Sequence, residues 1–62
     1  MIDYSLEIRF TEDGPWLNYI HRTPDKDKIE MIAHILKGNP RVVDVRITQW
    51  AVTHVSEYFL AG

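Results

Sequence analysis

The sequence predicts an α+β domain, an antiparallel sheet of three to four strands with one α-helix packed on one face. Three observations predict it. Residues Ile2 to Thr11 alternate apolar and polar, Arg41 to Thr48 alternate again, and between them Ile29, Ile32, Ala33 and Leu36 recur at helical spacing.

In the first strand Ile2, Tyr4, Leu6, Ile8 and Phe10 form an apolar face, and Asp3, Ser5, Glu7, Arg9 and Thr11 a polar one. Glu12-Asp13-Gly14-Pro15 then signals a turn, with glycine expected at positive φ and proline fixing its own. Trp16 to Thr23 is aromatic and β-favouring, the natural return strand of a hairpin. Both of its faces carry apolar residues, Trp16 and Ile20 on one and Leu17 and Tyr19 on the other. Such a strand is either covered on both sides or shifted in phase by a bulge.

Thr23 as N-cap with Pro24 at the first helical position opens the helix, and an N-cap at Asp25 is the alternative. Asp25 and Asp27 suit the positive end of the helix dipole, and Lys37 the negative end. Ile29, Ile32, Ala33 and Leu36 make the apolar stripe, flanked by Ile35, while Lys26, Asp27, Glu30, His34 and Lys37 lie away from it. Gly38 is placed for a left-handed C-cap, and Asn39-Pro40 ends the helix.

In the third strand Val43, Val45 and Ile47 point inward and Val42, Asp44, Arg46 and Thr48 outward. Trp50 and Val52 then carry the apolar series on at even positions. The β-branched run Val52, Thr53, Val55 favours one strand continuing through a bulge near Thr48-Gln49. A tight hairpin there, or a helix over Trp50 to Leu60, are the alternatives.

These elements form a single domain over residues 1–62 with a thin core. A chain of this size buries only about 60% of its unfolded surface, and one such core supplies roughly 3–5 kcal/mol. With no cysteine and its three histidines far apart, the chain offers neither a disulfide nor a structural zinc site. Support from a second copy or a partner protein is the remaining expectation.

The net charge of −2 argues against non-specific nucleic-acid binding. No run is long and apolar enough for a membrane span of about 20 residues, and no signal peptide is seen at Met1-Ile2-Asp3. A cytoplasmic location is the default expectation.

The chemistry-bearing residues suggest no reaction. His21 and His54 lie in strand-like segments and are the only plausible catalytic participants, whereas His34 reads as a surface neighbour of Glu30. The acidic pairs belong to a turn and a helix start, and three isolated glycines make no phosphate loop. The expectation is a non-enzymatic chain with no cofactor, no metal and no catalytic residue.

Aromatic surplus points elsewhere. Glu7, Arg9, Asp44 and Arg46 would occupy the solvated face away from the helix as cross-strand pairs. One helix cannot cover Trp16, Tyr19, Trp50, Tyr58 and Phe59 as well. Together with Val52 these are the candidate partner-contact residues, acting through a sheet edge or an aromatic patch. A homodimer, or a complex with another protein, follows as the leading expectation. The alternative is a nucleic-acid platform of Trp16, Tyr19, Arg22 and Trp50.

In Thr11-Glu12-Asp13-Gly14, Thr23-Pro24-Asp25-Lys26-Asp27 and Asn39-Pro40-Arg41-Val42-Val43-Asp44-Val45-Arg46 the chain resembles small accessory proteins of bacteriophages and mobile elements. The likeness lies in the order hairpin, helix, strand. It implies a ββαβ fold and, for some such proteins, binding that inhibits or redirects a host protein. It assigns no functional residue.

Overall fold

A computed structural model describes residues 2–51 and 53–59. The elements run β1 (Asp3–Arg9), β2 (Leu17–Thr23), α1 (Lys26–Lys37), β3 (Asp44–Trp50) and β4 (Val55–Tyr58). They build one four-stranded sheet in the order β2-β1-β3-β4, with every neighbouring pair antiparallel. β2 and β3 therefore run parallel to each other with β1 between them. The helix joins them, starting near the Tyr4 end of β1 and finishing near its Arg9 end.

Alternation decides the core. Tyr4, Leu6 and Ile8 of β1 and Val45 and Ile47 of β3 point to the helix side, where they bury Ile29, Ala33 and Leu36. Leu6, Ile29, Val45 and Ile47 are almost wholly enclosed. Each such side chain is worth about 1.5–3 kcal/mol of burial. Ile20, Ile32, Val42 and Tyr58 pack around them. Phe10 and Val43, expected on the buried face, lie past the ends of β1 and β3 and are half exposed.

The β2 phase is set by bulging. Its register against β1 passes from Tyr4↔Thr23 through Leu6↔Ile20 to Glu7↔Asn18, with irregularities between those positions. The extra residues let Leu17 and Ile20 share one face despite their odd spacing.

Four local expectations are corrected. The helix N-cap is Asp25, the alternative rather than the favoured Thr23. Its carboxylate accepts from the Lys28 N–H at 3.1 Å, and Thr23 Oγ1 only supports the Asp25 N–H. Gly38 sits at φ −77°, in the right-handed region, because its N–H continues the helical bonds to His34 and Ile35. No described glycine has a positive φ. Gly14 instead closes a Thr11–Gly14 turn, and a Cβ there would collide with Thr11 Oγ1. The favoured single long strand is overturned at the tail. β3 pairs with β1 without interruption from Asp44 to Trp50, so no bulge lies near Thr48-Gln49. The chain then turns, with the Ala51 N–H on the His54 carbonyl at 2.9 Å, and returns as β4. This hairpin lies beyond Trp50 rather than at Thr48-Gln49, and residues 55–58 are strand rather than helix. Trp50 keeps the alternation of Arg46 and Thr48 and belongs to the face away from the helix.

Candidate interaction surface

The sheet face away from the helix is a polar layer roofed by aromatic rings. Ser5, Glu7 and Arg9 of β1 alternate onto it beside Asp44, Arg46, Thr48 and Trp50 of β3. Glu7 is only 7% exposed. A buried carboxylate needs donors, and it has three. Ser5 Oγ donates at 2.8 Å, Thr48 Oγ1 at 2.6 Å and Arg46 Nε at 3.2 Å. The Trp50 indole N–H donates to Ser5 Oγ at 2.9 Å, and Arg46 Nη1 continues to Glu57 of β4 at 2.9 Å. Arg9 reaches Asp44 at 3.4 Å, while its buried Nε has no hydrogen-bond partner among the described residues. The cross-strand charge pairs expected from the sequence form, under partial cover rather than on an open, solvated face.

Two belts of side chains make that cover. At one end Trp16, just ahead of β2, stacks on the guanidinium groups of Arg9 at 4.7 Å and Arg46 at 4.4 Å. Its ring meets Phe59, just past β4, at 6.1 Å. Toward the other end Arg22 of β2 lies over the Trp50 ring at 3.8 Å. Each cation–π contact is worth about 0.5–2 kcal/mol. The belts bridge the strands on a face that no second helix covers among the described residues, and Trp16 and Trp50 are half-buried as a result.

The candidate partner residues therefore separate. Trp16, Trp50 and Phe59 meet on the open face through these belts. Tyr19 is exposed in the bulged part of β2. Tyr58 points to the helix side and reaches Glu30 at 3.5 Å. Burial, followed by the Glu30 charge, raises its phenol above the ordinary value of 10.0. Val52 lies outside the described residues. Of the nucleic-acid set, Trp16, Arg22 and Trp50 share the open face. Their rings and guanidinium are already stacked within the chain.

His21 lies on β2 and His54 in the β3–β4 turn, so β1 and β3 separate them in the sheet. Among the described residues no group of three His, Cys, Asp or Glu is placed to hold a metal ion. Among them, too, no helix is long and apolar enough to cross a membrane.

A second surface was not singled out in the sequence. The helix rests on β1 and β3, and Glu30 turns one of its flanks toward β4. At 100° per residue Ile32 and Ile35 lie on the opposite flank, toward β2. There Leu17 and Ile20 look up from β2, opposite Ile8 and Leu6. The result is an apolar groove between α1 and β2. Leu17 and Ile35 beside it expose 45% and 67% of their surface, and Phe10, just past β1, 50%. Its signals were the mixed β2 faces and Ile35 beside the helical stripe.

The sheet edges are less inviting than this groove. β4 is four residues long and β2 is broken by bulges, and both features disfavour strand pairing with another chain. No protein-family model, curated protein or solved structure matches the chain, and of the expected resemblance only the small α+β arrangement is shown.

Proposed function

We propose that the chain is a non-enzymatic protein-interaction module that self-associates through its exposed apolar surface. The observation that carries this reading is how much apolar surface stays uncovered. Nine large apolar residues, from Ile2 to Phe59, are at least 43% exposed among the described residues. Scattered singly they would mean little, but contiguous apolar patches mark interaction sites. A core this thin gains from a second chain. The resemblance to phage accessory proteins adds a second kind of partner, a host protein bound by the same apolar surface.

Light scattering across a concentration series tests the reading. A mass rising toward twice the 7.3 kDa of one chain is expected. A single-chain mass at every concentration rejects self-association.

A second reading has one observation in its favour. Trp16, Arg22 and Trp50 stand on one sheet face, as a nucleic-acid stacking platform requires. Against it, Arg9 and Arg46 are paired with Asp44, Glu7 and Glu57. Titration with single-stranded oligonucleotide at low salt separates the two. Unchanged tryptophan fluorescence is expected, and strong quenching would favour the second reading.

A further inference from the structure

We infer that β4 is an exchangeable strand. In a two-fold dimer the β4 of each copy pairs with the β3 of the other, and the connection between β3 and β4 is extended. This rests on the self-association proposed above and names the segment that carries it.

The way β4 is held is the first argument. It has four residues where the other strands have seven, and each is at least partly exposed. Its neighbour in the sheet is β3 alone. Beyond the ladder from Ile47↔Tyr58 to Trp50↔Val55, three contacts fasten it. Glu57, itself half exposed, meets Arg46 at 2.9 Å, Tyr58 reaches Glu30 at 3.5 Å, and Phe59 lies against Trp16 at 6.1 Å. An edge element with few buried contacts opens at a lower free energy than the whole domain. Its departure bares β3, which pairs with β1 without irregularity from Asp44 to Trp50. A long, regular edge of that kind takes up a strand. The β4 of a second copy reproduces every contact just named. An unrelated strand brings neither Glu57 to Arg46 nor Tyr58 to Glu30.

The connection is the second argument. Residues 51–54 hold no Gly, Pro, Asn or Asp. The β-branched run Val52, Thr53, Val55 favours extended chain over a turn. Exchange satisfies that preference, because an open chain passes straight from β3 into β4. Register agrees. After Trp50↔Val55 the ladder next sets Ala51 against His54, and the Ala51 N–H already meets the His54 carbonyl at 2.9 Å. Continued between two open chains, the same register reaches a two-fold axis between positions 52 and 53. Both chains then pair along one unbroken antiparallel ladder, and each contact occurs twice, as an isologous dimer requires.

The test exploits a chain without cysteine. Gln49 and Ser56 are opposite each other on β3 and β4, where a disulfide can form. Full-length chains carrying Gln49→Cys are mixed with chains carrying Ser56→Cys at about 1 μM and about 1 mM. Circular dichroism checks folding, glutathione disulfide oxidises the mixture, and mass spectrometry without reductant reads the products. At the higher concentration the mixed two-chain disulfide should far exceed either like pair, since exchange sets Gln49 of one chain against Ser56 of the other. Val52→Asn combined with Thr53→Gly supplies a favoured two-residue hairpin turn. It should weaken dimerisation about tenfold or more in sedimentation equilibrium. A dimer without preference for the mixed disulfide, or one indifferent to the Asn-Gly turn, overturns the exchange while self-association stands. A wild-type chain that stays monomeric throughout overturns the inference together with the reading beneath it.

Discussion

Glu7 and Arg9 stand on the same face of β1, and each meets an opposite charge on β3, yet they differ in energetic weight. Arg9–Asp44 is longer and its side chains are 26% and 32% exposed, so solvent screens it. Asp44→Ala should cost less than about 1 kcal/mol. Glu7 is enclosed and collects three donors, so Glu7→Ala leaves the Thr48 hydroxyl buried without its acceptor and should cost about 2–4 kcal/mol. Urea midpoints of the two variants check the contrast, and equal losses would contradict it. The charge pairing was legible in the alternation of β1 and β3. The burial of Glu7 was not, because it depends on Trp16, Phe59 and Arg22 arriving from segments remote in sequence. Tyr58 gives a pH test at the same scale. Its phenol holds its proton more tightly folded than unfolded. The stabilisation is therefore full below the unfolded value near 10 and lost as pH rises through the folded value. Wild-type stability should fall in that alkaline range, and Tyr58→Phe should lessen the fall. An identical alkaline profile in Tyr58→Phe would contradict this.

At the scale of the element, the helix ends carry the sharpest expectations. Asp25 accepts from the Lys28 N–H, so Asp25→Ala should cost about 1 kcal/mol, and Thr23→Ala less. Thermal denaturation of the two variants ranks the caps, and a larger loss at Thr23 would restore it as the true N-cap. Gly38 is right-handed, and an added Cβ would meet Ile35 O at 3.4 Å, an ordinary contact. Gly38→Ala should therefore stabilise the chain, by roughly 0.4–1 kcal/mol, by narrowing the unfolded ensemble. A loss of stability would mean that the helix ends in the left-handed cap read from the sequence. The helix stripe and the first strand were legible because one physical period governs each. β4 was not, because no Gly, Pro or Asn stands among residues 51–54 to mark its turn. Trp50 resembled a phase break because the alternation rule assumes one wet face, whereas Arg22 stacks on its ring there.

For the whole molecule, one helix suffices because the other sheet face closes itself with side chains. Two aromatic belts roof a hydrogen-bonded layer, and part of the apolar surface left over lies between α1 and β2, at Leu17 and Ile35. That leftover follows from the order β2-β1-β3-β4 with a helix resting chiefly on β1 and β3. The α+β class could be read from periodicity. The position of the groove could not, since it depends on which strand the helix fails to cover. If a second chain joins the first, folding and association are linked, and mass action makes stability depend on protein concentration. The most direct measurement is the thermal midpoint of the wild-type chain over a thousandfold range of concentration. A midpoint that climbs steadily with concentration is expected. A midpoint that stays constant over the whole range would contradict it.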